Sequence, residues 1–350
     1  MRNQRLFIYF CPFCFGTFLF LSICLPSGLS ASEVSIFSKY EKPKTVKLSQ
    51  KIWGTGTTFL GQSSDSLPPL RTSSMEDGII ASQNWASAPR WTLFPDGLIF
   101  PSFLAGVAES RMGGVWNYDK DQHWIWDITL GGRAPLLRYG NRSSIQPEGW
   151  QLDIEGSVHL RLDLENEMDM DANDFRFGLP ISYGTRTWQI RFGYYHVSSH
   201  MGDERMIRLT NAGLPHKRIN YVREALIFGY AYRINPAIRL YAEADFAFER
   251  GEYTKKWHFQ FGAEYSRPYL GRGPGDSEWH GSPFAAVNAI LLEEHDFDGN
   301  INVQLGWQWR GPRNQMFRVG VQYFGGVSEQ YEHIHARREH KVGLGVWYDF

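Results

Sequence analysis

Trp150-Gln151-Leu152-Asp153-Ile154-Glu155-Gly156-Ser157-Val158-His159-Leu160-Arg161-Leu162-Asp163-Leu164 decides how the rest of the chain is read. Trp150, Leu152, Ile154, Val158, Leu160, Leu162 and Leu164 fall on one face at period two, and Gln151, Asp153, Glu155, Ser157, His159, Arg161 and Asp163 fall on the other. Successive side chains of a strand point to opposite sides, so this is one long strand with an apolar and a strongly polar face. It is far longer than the ~5–6 residues of an ordinary globular strand.

The same alternation recurs in Trp257/Phe259/Phe261/Ala263/Tyr265, Ile301/Val303/Leu305/Trp307/Trp309, Phe317/Val319/Val321/Tyr323 and Val342/Leu344/Val346/Tyr348/Phe350. Strands are expected near 99–112, 122–132, 149–164, 173–184, 187–198, 219–233, 237–249, 255–267, 283–293, 299–310, 315–326 and 339–350. An even set of alternating strands, about twelve, with aromatics flanking each apolar face predicts an all-β fold, an antiparallel transmembrane β-barrel in which lipid-facing and lumen-facing residues alternate. A large soluble sandwich or lipocalin-like barrel also alternates, but its apolar faces need no aromatics at both ends. Short turns at 184–186, 233–236 and 310–313 follow the fourth, sixth and tenth expected strands, whereas 199–218 and 325–338 are longer and charged. Links 133–148 and 267–282 are long where this scheme wants short ones.

Composition agrees. Of 350 residues, 15% are aromatic and 35 are glycine, which excludes a disordered or coiled-coil chain. A mean hydropathy of -0.37 and no long apolar run after the N-terminus exclude a bundle of membrane-spanning helices. The net charge of -1 gives no electrostatic reason for a nucleic-acid partner. At the N-terminus Arg2 and Arg5 precede the apolar stretch Leu6–Leu25 and the small residues 26–31, the order of a secretory signal over 1–30. Cys11, Cys14 and Cys24 all lie within it, so the exported chain would carry no thiol. Residues 31–98, rich in Ser, Pro, Gly and Thr, are expected to be a short, partly ordered periplasmic segment, and 99–350 the barrel. The expected location is the outer membrane of a Gram-negative bacterium, with outer-membrane lipids as neighbours.

Inward positions carry both signs, among them Asp153, Glu155, Arg161, Arg191, Arg223, Arg239, Glu243, Asp245, Glu264 and Arg310. A selective pore would concentrate one sign at a constriction, so a paired and largely filled interior is expected ahead of a narrow pore. The role expected of such a barrel is structural or a matter of surface interaction, with loops 199–218 and 325–338, including His333, His335, Arg337 and Arg338, displayed outside.

The densest run of reactive side chains is Ile190–Glu204. His196 and Ser198 continue the outward set of Trp188, Ile190, Phe192 and Tyr194, and a His and a Ser two apart on one face are the minimum for a base and a nucleophile. Asn220 shares the outward parity of Leu226, Phe228 and Tyr230. This run resembles outer-membrane phospholipase A, with its His-x-Ser and an orienting Asn at the start of the following strand. The resemblance implies His196 as base, Ser198 as nucleophile and Asn220 as orienter of a lipid acyl hydrolase, with Asp203 and Glu204 as oxygen ligands for Ca²⁺. Ser199 and His200 depart from it, since they stand where that pattern has Asn-Gly.

Phe94-Pro95-Asp96-Gly97-Leu98-Ile99-Phe100, Leu104-Ala105-Gly106 with Glu109 and Arg111, the His196–Glu204 run, Arg223-Glu224 and the glycine-rich final hairpin resemble the bacterial family called domain of unknown function 1207. That resemblance implies an exported, barrel-like protein and no catalytic assignment. The ending Tyr348-Asp349-Phe350 resembles the C-terminal signal read by the barrel assembly machinery.

Overall fold

The structure, a computed structural model, describes residues 89–214, 219, 221–269 and 278–350. The expected signal peptide, most of the 31–98 segment and Asn220 lie outside the described residues. Strands β1 (Arg90–Leu93), β2 (Met112–Asp119), β3 (His123–Gly140), β4 (Gly149–Asp163), β5 (Asp169–Gly184), β6 (Trp188–Met201), β7 (Tyr221–Asn235), β8 (Ile238–Arg250), β9 (Trp257–Ser266), β10 (His280–Leu292), β11 (Asp298–Arg310), β12 (Met316–Val327) and β13 (Arg338–Asp349) form one sheet. Every pairing is antiparallel and joins chain neighbours, except that β13 pairs β2 and β1 pairs β3. With β3 on β4 the ring closes, so β2–β13 make a twelve-stranded barrel without free edges. β1 stands below β2 and shares with it one side of β3, at residues 137–140.

The outer wall is apolar and aromatic. Near the short-turn end Trp150 packs on Tyr183 at 4.8 Å, and Tyr183 on Trp188 at 5.4 Å. Toward the other end Trp116 stacks on Trp126 at 4.8 Å and Phe246 packs on Trp257 at 4.9 Å. Leu179, Phe192, Phe228, Leu305, Val319 and Leu344 are exposed between these two belts. Such a band between aromatic girdles is what a barrel wall needs in a bilayer, where the aromatics sit at headgroup level. Among the described residues no helix is long and apolar enough to cross a membrane, which says nothing of a barrel.

Strand positions differ from expectation at the start. Segment 99–111 is not a strand: Ile99, Phe100, Phe103 and Ala105 are wholly buried inside the barrel, and the first barrel strand is β2. The sequence Phe100-Pro101-Ser102-Phe103-Leu104 does not alternate, and its proline donates no ladder hydrogen bond. β3 runs on to Gly140, past a bulge at Pro135/Leu137, which shortens the long link expected at 133–148 to 141–148. The surplus strand and the missed one cancel.

At the opposite end, helix α1 (Asp203–Asn211) follows β6, with Asp203 and Glu204 in its first turn and Arg208 in its last, as the helix dipole favours. Segment 328–337 does not stand out as the exposed loop expected of it. Glu332, His333 and Ile334 are buried, Tyr331 stacks on Tyr221 at 4.5 Å, and Ile334 joins Tyr195, Val197, Tyr221, Ile227 and Val327 in an apolar layer across the barrel.

Candidate functional site

Two arrangements can carry function: the filled lumen, and the polar cluster at the outer end of β6.

In the lumen, the descending segment is gripped through its own carbonyl groups. The guanidinium of Arg239 on β8 donates to Pro101 O and Ser102 O, each at 2.9 Å, and its Nε donates to Glu264 Oε2 at 2.9 Å. Glu264 in turn accepts the Leu104 N–H at 2.6 Å. Arg318 donates to Leu104 O at 3.3 Å, Arg111 to the same oxygen at 2.7 Å, and Asn302 to Ala105 O at 2.8 Å. These groups satisfy backbone that the sheet cannot reach and that is cut off from water. Rings fill the remaining space. Phe103 stacks on Tyr241 at 3.7 Å, and Arg191 lies 4.8 Å from the centroids of Phe100 and Phe103. Gly262 is required here, because a Cβ on it would stand 2.1 Å from the Tyr241 ring.

The expected mixture of charges is paired. Arg133 meets Asp153 at 2.6 Å, Arg191 meets Glu243 at 2.6 Å and Arg223 meets Asp245 at 2.8 Å. Near the loop end Arg161 meets Asp127 at 2.6 Å, Glu329 at 3.2 Å and Glu339, and Lys341 shares the same three carboxylates. That cluster holds three acids against two cations. Burial, with Asp127 and Glu339 alongside, lifts the Glu329 carboxyl to about 7 against the pull of Lys341 and Arg161. Beside it His333 bonds Asp171 at 2.8 Å, and burial holds the imidazole below its ordinary value despite that partner.

On the outer wall Tyr194, His196, Ser198 and His200 share the face of Phe192, as their parity requires. His196 stands directly across from Glu224 on β7, and its Nδ1 lies 2.7 Å from Glu224 Oε1; Tyr194 donates its hydroxyl to Glu224 Oε2 at 2.5 Å. With Glu224 ionised, Nδ1 is the protonated nitrogen and Nε2 is the free acceptor. No hydrogen bond joins His196 to Ser198, whose cross-strand neighbour is Val222. The structure thus places a carboxylate, Glu224, against His196 Nδ1, while Asn220 lies outside the described residues. Cross-strand register is the missing information, because it is not visible in a single strand's period. Asp203 and Glu204 stand exposed on α1, and among the described residues no group of three His, Cys, Asp or Glu side chains is set to hold a metal ion.

A Ser–His hydrogen bond at a spacing of two does exist elsewhere. Ser157 Oγ lies 3.0 Å from His159 Nε2 on the lumenal face of β4, with Thr129 Oγ1 3.2 Å from Nδ1 and Ser110 Oγ 3.0 Å from Ser157. The cavity beside His159 measures about 40 Å³, room for water and no substrate.

A closed antiparallel barrel with a girdled apolar wall and a filled lumen defines an outer-membrane type of β-barrel protein. The chain belongs to the family described as protein of unknown function (DUF1207), whose profile matches residues 25–350. No curated protein matches it. Among solved structures the chain is similar to the outer membrane phospholipase A from Escherichia coli, at 12% identity and a TM-score of 0.45, over 79% of this chain and 99% of that one. It is likewise similar to the Salmonella typhi outer membrane phospholipase dimer with bound calcium, at 11% identity and a TM-score of 0.46, over the same shares.

Proposed function

We propose that this protein is a sealed barrel of a Gram-negative outer membrane, with outer-membrane lipids around its wall, and that its role is structural or one of surface interaction rather than conduction. The observation that carries this reading is the grip of Arg239, Arg318, Arg111 and Asn302 on the five consecutive carbonyls of segment 101–105 inside the lumen. Conduction would require breaking several buried charge-assisted hydrogen bonds together, each stabilising by roughly 1.5–3 kcal/mol. Folded protein reconstituted in planar bilayers is expected to give no conductance steps. Steady, ion-selective openings would overturn the reading.

One observation favours a second reading, lipid acyl hydrolysis at the wall. Glu224 bonded to His196 Nδ1 leaves Nε2 free on the face that also carries Ser198, which is the orienter, base and nucleophile order of a serine hydrolase. On this reading the folded protein releases fatty acid from phospholipid in detergent, with or without added Ca²⁺. Ser198→Ala would then lower the rate by about a hundredfold or more. No release by wild-type protein leaves His196, Glu224 and Tyr194 as a polar rim on the wall.

A further inference from the structure

The turn end of the lumen, below the gripped segment, holds a cavity of about 310 Å³, within the lower range of small-ligand pockets. Five arginines line it, Arg133, Arg186, Arg233, Arg239 and Arg310, against two acids, Glu264 and Asp349. Both acids are engaged: Glu264 accepts from Arg239 and from Leu104 N–H, and Asp349 faces Arg318 at 2.9 Å and Arg111 at 3.4 Å.

Two of the remaining cations, Arg233 and Arg310, meet no carboxylate within ion-pair distance among the described residues, whereas Arg133 is paired with Asp153. The Arg233 guanidinium makes no hydrogen bond or ion pair among the described residues, while its backbone N–H donates to Thr187 O at 2.7 Å. Among the described residues Arg310 reaches only neutral partners, Asn314 Oδ1 at 2.6 Å, Ser266 Oγ at 2.7 Å and Met316 Sδ, and its buried Nε has none. Arg133, 4% exposed, spends Nε and Nη2 on Asp153 and leaves Nη1 without a partner. Elsewhere in this lumen a buried guanidinium is met by a carboxylate or a backbone oxygen, even where, as in Arg191 and Arg111, a further nitrogen has no partner among the described residues. Unspent donors at a cavity wall call for oxygen acceptors from outside, and an oxyanion supplies two or three at once. The rest of the wall is mixed, with an apolar part made by Leu98, Pro101, Leu104, Met316 and Phe350 beside polar residues such as Ser102, Gln189, Ser266 and Asn314.

We propose that this cavity is a binding site for a small organic oxyanion, a carboxylate or phosphate monoester on a short apolar body, held by Arg233 and Arg310 with Arg133 behind them. The test uses the full-length folded protein in amphipol and equilibrium dialysis of octanoate, with octyl phosphate, inorganic phosphate and octanol as competitors. Octanoate binds saturably, octyl phosphate displaces it, octanol does not, and R233Q and R310Q each weaken it about tenfold or more. Arg313→Gln, a change at an exposed turn residue outside the cavity, leaves affinity alone. Because Arg233 has no acid to orphan, R233Q is expected to fold, and heat-modifiable migration on gels checks this. Displacement by octanol as readily as by octyl phosphate, or unchanged affinity in R233Q, overturns the site. Inorganic phosphate competing as strongly as octyl phosphate overturns the apolar half of the assignment.

Discussion

The two ends of the lumen are built from the same residue types and differ in how charge is spent. At the loop end Arg161 and Lys341 are enclosed by Asp127, Glu329 and Glu339, and segment 328–337 folds over them with Glu332, His333 and Ile334 buried. At the turn end Arg233 and Arg310 face a cavity and, among the described residues, no carboxylate within ion-pair distance. Charges that neutralise one another close a structure. Charges left over belong to something that comes and goes.

Substitution separates the ends. Arg161→Met leaves three buried carboxylates with Lys341 alone, and breaking a buried pair from one side costs about 3–5 kcal/mol. Arg233→Gln removes no partner and is expected to shift stability by less than about 0.5 kcal/mol. Urea unfolding of both variants in lipid vesicles measures the difference, and equal losses would erase the distinction between the ends.

A smaller effect sharpens the loop end. The folded pKa of Glu329, about 7, lies above its unfolded value near 4.5, so the folded state binds this proton more tightly. Its contribution is fully present below pH ~4.5 and is lost as pH rises through about 7, with a slope of at most about 1.4 kcal/mol per pH unit. In Glu329→Gln that part of the pH dependence should vanish, read as urea midpoints between pH 5 and pH 8. A variant that keeps the wild-type slope would show that another group holds the proton.

Much of the wall is legible, because β4 to β9 and β11 to β13 alternate over most of their length and one buried face leaves no other register. β2 is not legible because Gly113 and Gly114 interrupt its pattern, and the second half of β3 is not because Gly131, Gly132 and Pro135 interrupt its own. The gripped segment resembles a strand in sequence because Ile99, Phe100, Phe103 and Leu104 are as apolar as a wall face. Only their spacing, with Pro101 between them, marks them as filling. Of the candidate site, the shared face of His196 and Ser198 was readable from parity, whereas the Glu224 contact depends on a cross-strand register fixed by the whole β6–β7 pairing. The cavity was not readable at all, since its arginines come from β3, β7, β8, β11 and a turn.

The account rests on segment 98–111 occupying the lumen, and labelling of a single cysteine tests that directly. All three native cysteines precede residue 25, so Ala105→Cys in a chain lacking those positions is the sole thiol, at a site with no exposed surface. In the folded, reconstituted protein a small maleimide should leave Cys at 105 unmodified until heat unfolding, while Arg186→Cys at the exposed turn reacts at once. Modification at 105 at a rate comparable to that at 186 would show an open lumen and contradict the sealed barrel.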